Sequence, residues 1–311
     1  MIVRDKHNSL KLLFMWHGTI LPKVLPMIIL LMAVSMIAWG LSHYQLYTVK
    51  NVPAVGFTVF GVVLSIFLGF RNNACYDRWW EGRKLWGSLI ANTRHFSRDT
   101  HFLNADDRRA VLVDMLIFVN LFRDRLRHQK LPVERFADYL GIDDKDKDEL
   151  NTLIRQHINA PQVVLERMQH RLIHAVKSGQ ISDIIYTSIQ RHIIEMGNIQ
   201  AGCDRISSTP LPLVYSVLLH RAVFCFCWML PFGIESVLGI WTPFLVGLLA
   251  YMFLGLDELS SQLEEPFGVA QNDLPLDTIT RLIERETLAL MGVATDDLPQ
   301  AMGDDGRFNF L

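Results

Sequence analysis

The chain has 311 residues, half of them apolar and a fifth charged, with a mean hydropathy of +0.21. A soluble protein is typically about a quarter charged, and here the apolar surplus is pooled in a few runs, which excludes an ordinary two-domain soluble enzyme. The formal charge of −2 argues against a nucleic-acid binder with a basic face, and four cysteines without a CxxC pair argue against a disulfide-built secreted domain.

Residues 1–23 form an N-terminal segment carrying Arg4, Lys6, Lys11 and Lys23. Residues 24–42 are nineteen without a charge, and residues 51–70 are twenty more. A helix needs about twenty apolar residues to cross bilayer hydrocarbon, so 24–70 predicts a first transmembrane hairpin. Its first run is too long, and lacks the small-residue cleavage site, for a removed signal peptide. The connector 43–50 holds a single basic residue, Lys50.

Residues 71–210 predict a helical region with no alternating strand pattern. Residues 71–130 hold twelve Lys/Arg against seven Asp/Glu, a local excess of five positive charges. Within them, Arg78, Trp79, Trp80, Arg83, Lys84 and Trp86 interleave basic and aromatic side chains, which beside a membrane helix anchor at headgroups or lock helices together. Residues 110–126 predict a buried helix, too short and charged to span. Leu131, Pro132 and Gly141 punctuate a connector. Further helices are expected from about 143, from Pro161 to a break at Ser178-Gly179, and from 181 to 199, ending near Gly202.

Residues 211–256 predict a second hairpin, interrupted only by His220, Arg221 and Glu235. Its turn is expected near 231–235, and 236–256 is an uncharged run of twenty-one. Residues 257–311 form a C-terminal segment, in which 297–311 reads as a tail that a partner would have to order. Basic residues stand before the first run (Arg4, Lys6, Lys11 and Lys23) and after the second (Arg71, Arg78, Arg83 and Lys84), whereas the connector 43–50 has only Lys50 and the turn at 231–235 has none, so the positive-inside rule places both termini and the helical region in the cytoplasm.

Several chemical readings fail on spacing. Asp144, Asp146 and Asp148 resemble the start of a calcium loop, but Glu149 replaces the turn glycine and Arg155 the closing glutamate. His170 and His174 stand four residues apart, yet no glutamate lies between them to serve a zinc hydrolase. No phosphate-binding loop or nucleophile elbow is present. Val62, Ile66 and Phe70 form a helical stripe, with Gly56, Gly61, Ser65 and Gly69 nearby to admit close helix approach. Such a stripe is either a packing or lipid face or a hydrophobic constriction that gates by wetting.

Ser65-Ile66-Phe67-Leu68-Gly69-Phe70 followed by Arg78-Trp79-Trp80, Pro212-Leu213-Val214-Tyr215, and Glu264-Glu265-Pro266-Phe267-Gly268 together resemble the bestrophin ion channels in order and spacing. The resemblance covers most of the chain and implies a compact bacterial member. It implies an all-α integral membrane homopentamer, not an enzyme, with four transmembrane helices per subunit above a helical cytoplasmic region. One central pore would sit in a bacterial inner membrane, with lipid, monovalent ions and further copies of the chain as partners, and no nucleic acid.

Carried over by motif, three apolar rings of the pore neck fall on Val62, Ile66 and Phe70. A second, cytoplasmic constriction falls on Ile184 or Ile185, with Ile181 as the alternative. Chloride is the family default, and sodium or another monovalent cation stays open for a bacterial member. Asp183, Glu195 or Asp204 would favour cations if they face the pathway. The acidic run that clasps calcium in eukaryotic members is reduced here to Asp273 and Asp277. Two carboxylates make a poor calcium site, so no cofactor is expected. The remaining alternatives are a membrane carrier, a membrane-anchored enzyme or a scaffold. Few polar groups lie in the runs (Ser35, Thr58, Ser65 and Thr242), which favours a channel over a carrier.

Overall fold

A computed structural model describes residues 16, 18–44, 54–129, 133, 137 and 140–294. The basic residues Arg4, Lys6, Lys11 and Lys50, the connector residues Leu131 and Pro132, and the tail 297–311 lie outside the described residues. Among the described residues the secondary structure is helical throughout, without a strand. The helices are α1 (Leu21–His43), α2 (Ala54–Asp99), α3 (Ala105–Leu126), α4 (Asp144–Gln156), α5 (Ala160–Lys177), α6 (Asp183–Ser208), α7 (Leu213–Leu238), α8 (Thr242–Glu264) and α9 (Leu276–Leu290).

The chain divides into two compact units. An apolar unit takes its described residues from 16–79 and 210–266, and a polar unit from 80–209 and 267–294. Helix α2 belongs to both: it is one element of 46 residues, about 69 Å at 1.5 Å per residue. The uncharged run ends at Phe70, but nothing there breaks a helix. Asn72, Asn73 and Ala74 continue it without a Gly or Pro.

Three segments, Leu21–His43, Val55–Phe102 and Leu213–Glu264, are long and apolar enough to cross a membrane. The third folds back on itself. The rings of Phe226 and Phe253 meet edge to face at 5.1 Å, whereas one unbroken helix would hold them about 40 Å apart. The reversal is at Gly239, with φ +53 and ψ −125, followed by a 3-10 turn at Gly239–Trp241. This corrects the expected turn at 231–235. Pro231 lies inside α7, because a proline removes one donor and kinks a helix, while only glycine enters that positive-φ region cheaply.

Within the apolar unit, contacts run like rungs. Lys23 meets Glu258 at 2.7 Å, Met32 lies against Gly247, Phe57 against Gly233 and Gly61 against Phe226. Tyr215 Oη donates to the Phe67 carbonyl at 3.2 Å. As numbers rise in α1 and α7 they fall in α8, and as they rise in α7 they fall in α2. Helices α1 and α7 therefore run antiparallel to α2 and α8. Val24, Ile28, Leu31, Leu64, Leu68, Val223, Phe226, Val246 and Ala250 form the shared core.

In the polar unit, α3 is buried on nearly every side from Val111 to Leu126. The Trp86 indole stacks on Phe122 at 5.3 Å with planes 2° apart. Asn104 caps α3 by accepting from the Asp107 N–H, and Asn159 caps α5, where Pro161 sits in the first turn. Gly179, at φ +76, follows the last turn of α5. Helix α6 runs from Asp183 to Ser208 and does not end near Gly202 as expected. Gly202 is interior because the Leu85 side chain packs onto it: a Cβ there would stand 3.0 Å from Leu85 Cδ1.

Candidate functional site

Helix α2 carries two opposed faces in the apolar unit. Phe57, Gly61, Leu64, Leu68, Arg71 and Cys75 recur at three and four residues and turn inward. On the other side, Val62, Ile66 and Phe70 are 55, 51 and 62% exposed. Asn73 and Asp77 continue that stripe at helical spacing and are also exposed. A Cβ at Gly69 would meet nothing within 4 Å, so the chain's own packing does not require glycine there.

The motifs that carry the family resemblance meet one another. Tyr215 of the α7 motif bonds the carbonyl of Phe67, beside Ile66. Pro212 is the exposed N-cap position of α7. The Arg78 guanidinium donates from Nε and Nη2 to the Glu264 carbonyl at 3.3 Å, a cation on the carbonyls that end α8. Trp79 stacks on Tyr76 at 6.2 Å, while Trp80 is exposed. Pro266 and Phe267 are buried and Gly268 is half-buried. In the polar unit the Phe267 ring lies over Gly82, where a Cβ would approach it to 3.0 Å.

The second proposed constriction separates its three candidates. Ile184, in the first turn of α6, is 83% exposed, whereas Ile181 is 4% exposed and belongs to the core. Ile185 is half-buried, and its N–H donates to the capping Ser182 hydroxyl. Asp183 and Glu195 are exposed. Asp204 is engaged by Arg125 Nε at 3.1 Å.

Asp273 and Asp277 do not converge on a common point. Asp273 is buried and its Oδ2 accepts from the Ala270 N–H at 2.7 Å. The Asp277 carboxylate faces two guanidiniums, those of Arg127 and, at 3.4 Å, Arg123. His170 pairs with Glu166 on an exposed helix face. Among the described residues no group of three or more His, Cys, Asp or Glu side chains could hold a metal.

One cluster was missed from the sequence. Arg71, immediately after the uncharged run of α2, is 5% exposed. Its Nη1 lies 2.5 Å from Asp257 Oδ1 and its Nη2 3.5 Å from Glu264 Oε2. His220 Nδ1 stands 2.6 Å from the other Asp257 oxygen. The available signal was positional: Arg71 and Asp257 are each the first charge after an uncharged run, with opposite signs.

Comparison with known proteins agrees with this architecture. The sequence profile described as Bacterial/Fungal Bestrophin protein matches residues 1–289. Voltage-dependent anion channel-forming protein YneE of Salmonella typhi is 37% identical, over 99% of both chains. The voltage-dependent anion channel-forming protein mll4386 of Mesorhizobium japonicum is 36% identical over 94% of this chain and 93% of its own. The crystal structure of a bacterial bestrophin homolog from Klebsiella pneumoniae superimposes with a TM-score of 0.77 at 28% identity, covering 88% of this chain and 99% of that one. A point-mutant form of that homolog gives 0.79 at 30% identity, over 87% and 99%. These relatives are named for channel formation, and the chain is a membrane protein and not an enzyme. A match across nearly its whole length, joined to the same fold, makes this chain a member of the bestrophin family.

Proposed function

We propose that the protein is a passive ion channel, assembled from five copies around one central pore, in which Val62, Ile66 and Phe70 form a hydrophobic neck. The observation that carries this reading is the apolar stripe of α2, exposed on the face opposite the one its own core uses. A symmetric ring of such stripes excludes water until it widens, which is how an apolar constriction gates. Gly69, open on its outer side, lets a neighbouring copy approach closely.

In this reading α1, the first part of α2, α7 and α8 cross the bilayer as two hairpins. Lys23, Arg71, Arg78, Arg83 and Lys84 sit at the cytoplasmic side, with the polar unit and both termini. The membrane is the bacterial inner membrane. Ile184 forms the second constriction, since Ile181 is spent in the core and Ile185 is half-buried. No calcium switch operates, because Asp277 is neutralised by arginines and Asp273 is used in a turn. The relatives are named as anion channels, and chloride, as the commonest monovalent anion, is the first ion to test. Sodium is the second reading, favoured by Asp77, which is exposed on the neck face seven residues past Phe70.

Purified protein in planar bilayers tests this. The variant Val62→Ala/Ile66→Ala/Phe70→Ala should raise ion flux, and unchanged flux and open fraction would remove the neck assignment. The reversal potential in asymmetric NaCl gives the sign of the permeant ion in the same experiment. Saturable exchange driven by a counter-substrate would replace the channel with a carrier.

A further inference from the structure

We propose that Arg71 is a positioning residue that sets the aperture of the neck by fixing the rotation of α2. The proposal rests on the reading of Val62, Ile66 and Phe70 as the neck. Apolar contacts at Leu64 and Leu68 hold α2 against its neighbours but are non-directional, so they tolerate turning about the helix axis. A guanidinium held by two carboxylates does not, because its donors leave in a fixed planar fork.

Arg71 follows Phe70 directly, and neighbouring residues on a helix are set about 100° apart. Anchoring Arg71 inward to Asp257 at 2.5 Å and to Glu264 at 3.5 Å therefore fixes the direction in which Phe70 points. The helix carries that angle to Ile66 and Val62, one and two turns back. The anchor is itself held, since His220 of α7 takes the second oxygen of Asp257 at 2.6 Å. Residues of three helices thus meet around the buried Arg71–Asp257 pair next to the neck, with the His220 side chain itself largely exposed. Nearby, Lys23 pairs with Glu258, Ser260 Oγ reaches Asn72, and Arg78 grips the Glu264 carbonyl. These bonds tie the same ends together, but only Arg71 places a charge in the packed interior of α2.

A buried ion pair is a costly way to gain stability, and well-packed apolar residues often do as well. Its use here is specificity of orientation. Losing it turns one defined rotation of α2 into several, some with a wider neck.

Ion flux through channels reconstituted in vesicles tests this with Phe70→Ala, Arg71→Met, the double variant of these two, and Arg71→Lys. Arg71→Met should raise flux about tenfold, the effect of about 1.4 kcal/mol in the closed–open balance. It should add less in the Phe70→Ala background, because one of the three rings that it turns is already gone. Arg71→Lys, able to reach one carboxylate, should give flux nearer wild type. If Arg71→Met alone fails to assemble, Arg71→Met/Asp257→Leu removes the stranded carboxylate and should show the same raised flux. Unchanged flux in a properly assembled variant, or the same factor with and without Phe70, would overturn the proposal. If Phe70→Ala leaves flux unaltered, the neck reading has failed and this inference falls with it.

Discussion

At the scale of residues, charges are buried where they tie helices together. In the polar unit Asp114 of α3 is 1% exposed and faces both Arg167 and Arg171 of α5, the latter at 2.8 Å. Burial pushes the Asp114 carboxyl above the usual carboxylate range, and the two guanidiniums oppose that shift. Asp114→Ala strands two cations at the α3–α5 contact. It should cost about 3 kcal/mol, the low end for breaking a buried pair, because Arg171 is partly exposed and hydrated. Thermal melting in detergent should show a clear drop, with Asp114→Asn losing less since it keeps one acceptor. None of this was legible in the sequence, where Asp114 is one charge within the apolar stretch from Ala110 to Phe122. A charge's partner lies on another element, and one chain in isolation does not name it. The same limit hid Arg71 and Asp257.

At the scale of elements, uncharged length located the helices long and apolar enough to cross a membrane, and backbone geometry located their ends. Proline at 231 suggested a turn, yet α7 runs through it to Leu238. Gly239 makes the reversal because its φ of +53 with ψ −125 lies in a region that side chains with a Cβ enter only with strain. Gly239→Ala should therefore lower stability by about 1–3 kcal/mol, although nothing lies within 4 Å of the added Cβ. Pro231→Ala should be mild by comparison, and the two melting temperatures in one detergent give the order. Helix α2 teaches the complement. Its hydropathy changes sharply after Phe70 while its helix continues to Asp99. Polarity marks where a helix changes surroundings, not where it stops. The shortened reading of α6 has the opposite origin: Gly202 lies inside the helix, where Leu85 packs onto it, and does not end it.

At the scale of the whole molecule, the reading of a pentameric channel predicts a mass five times that of the chain for the detergent-solubilised protein, measured by light scattering with the detergent subtracted. A chelator should leave both that mass and the ion flux unchanged, since the arginine-bound Asp277 and turn-bound Asp273 offer no calcium clasp. A calcium-dependent flux would refute that part of the reading. Sequence by itself determined the membrane class, the helical character and the family, because these follow from composition, run length and motif order along one chain. It also marked Val62, Ile66 and Phe70 as one stripe, because helical periodicity is a local property. Tertiary structure alone decided that this stripe is left exposed while Ile181 is consumed by the core. It alone showed the family motifs bonded to each other and Arg71 held between Asp257 and Glu264. Exposure and pairing depend on residues distant in the chain, and only folding brings those together.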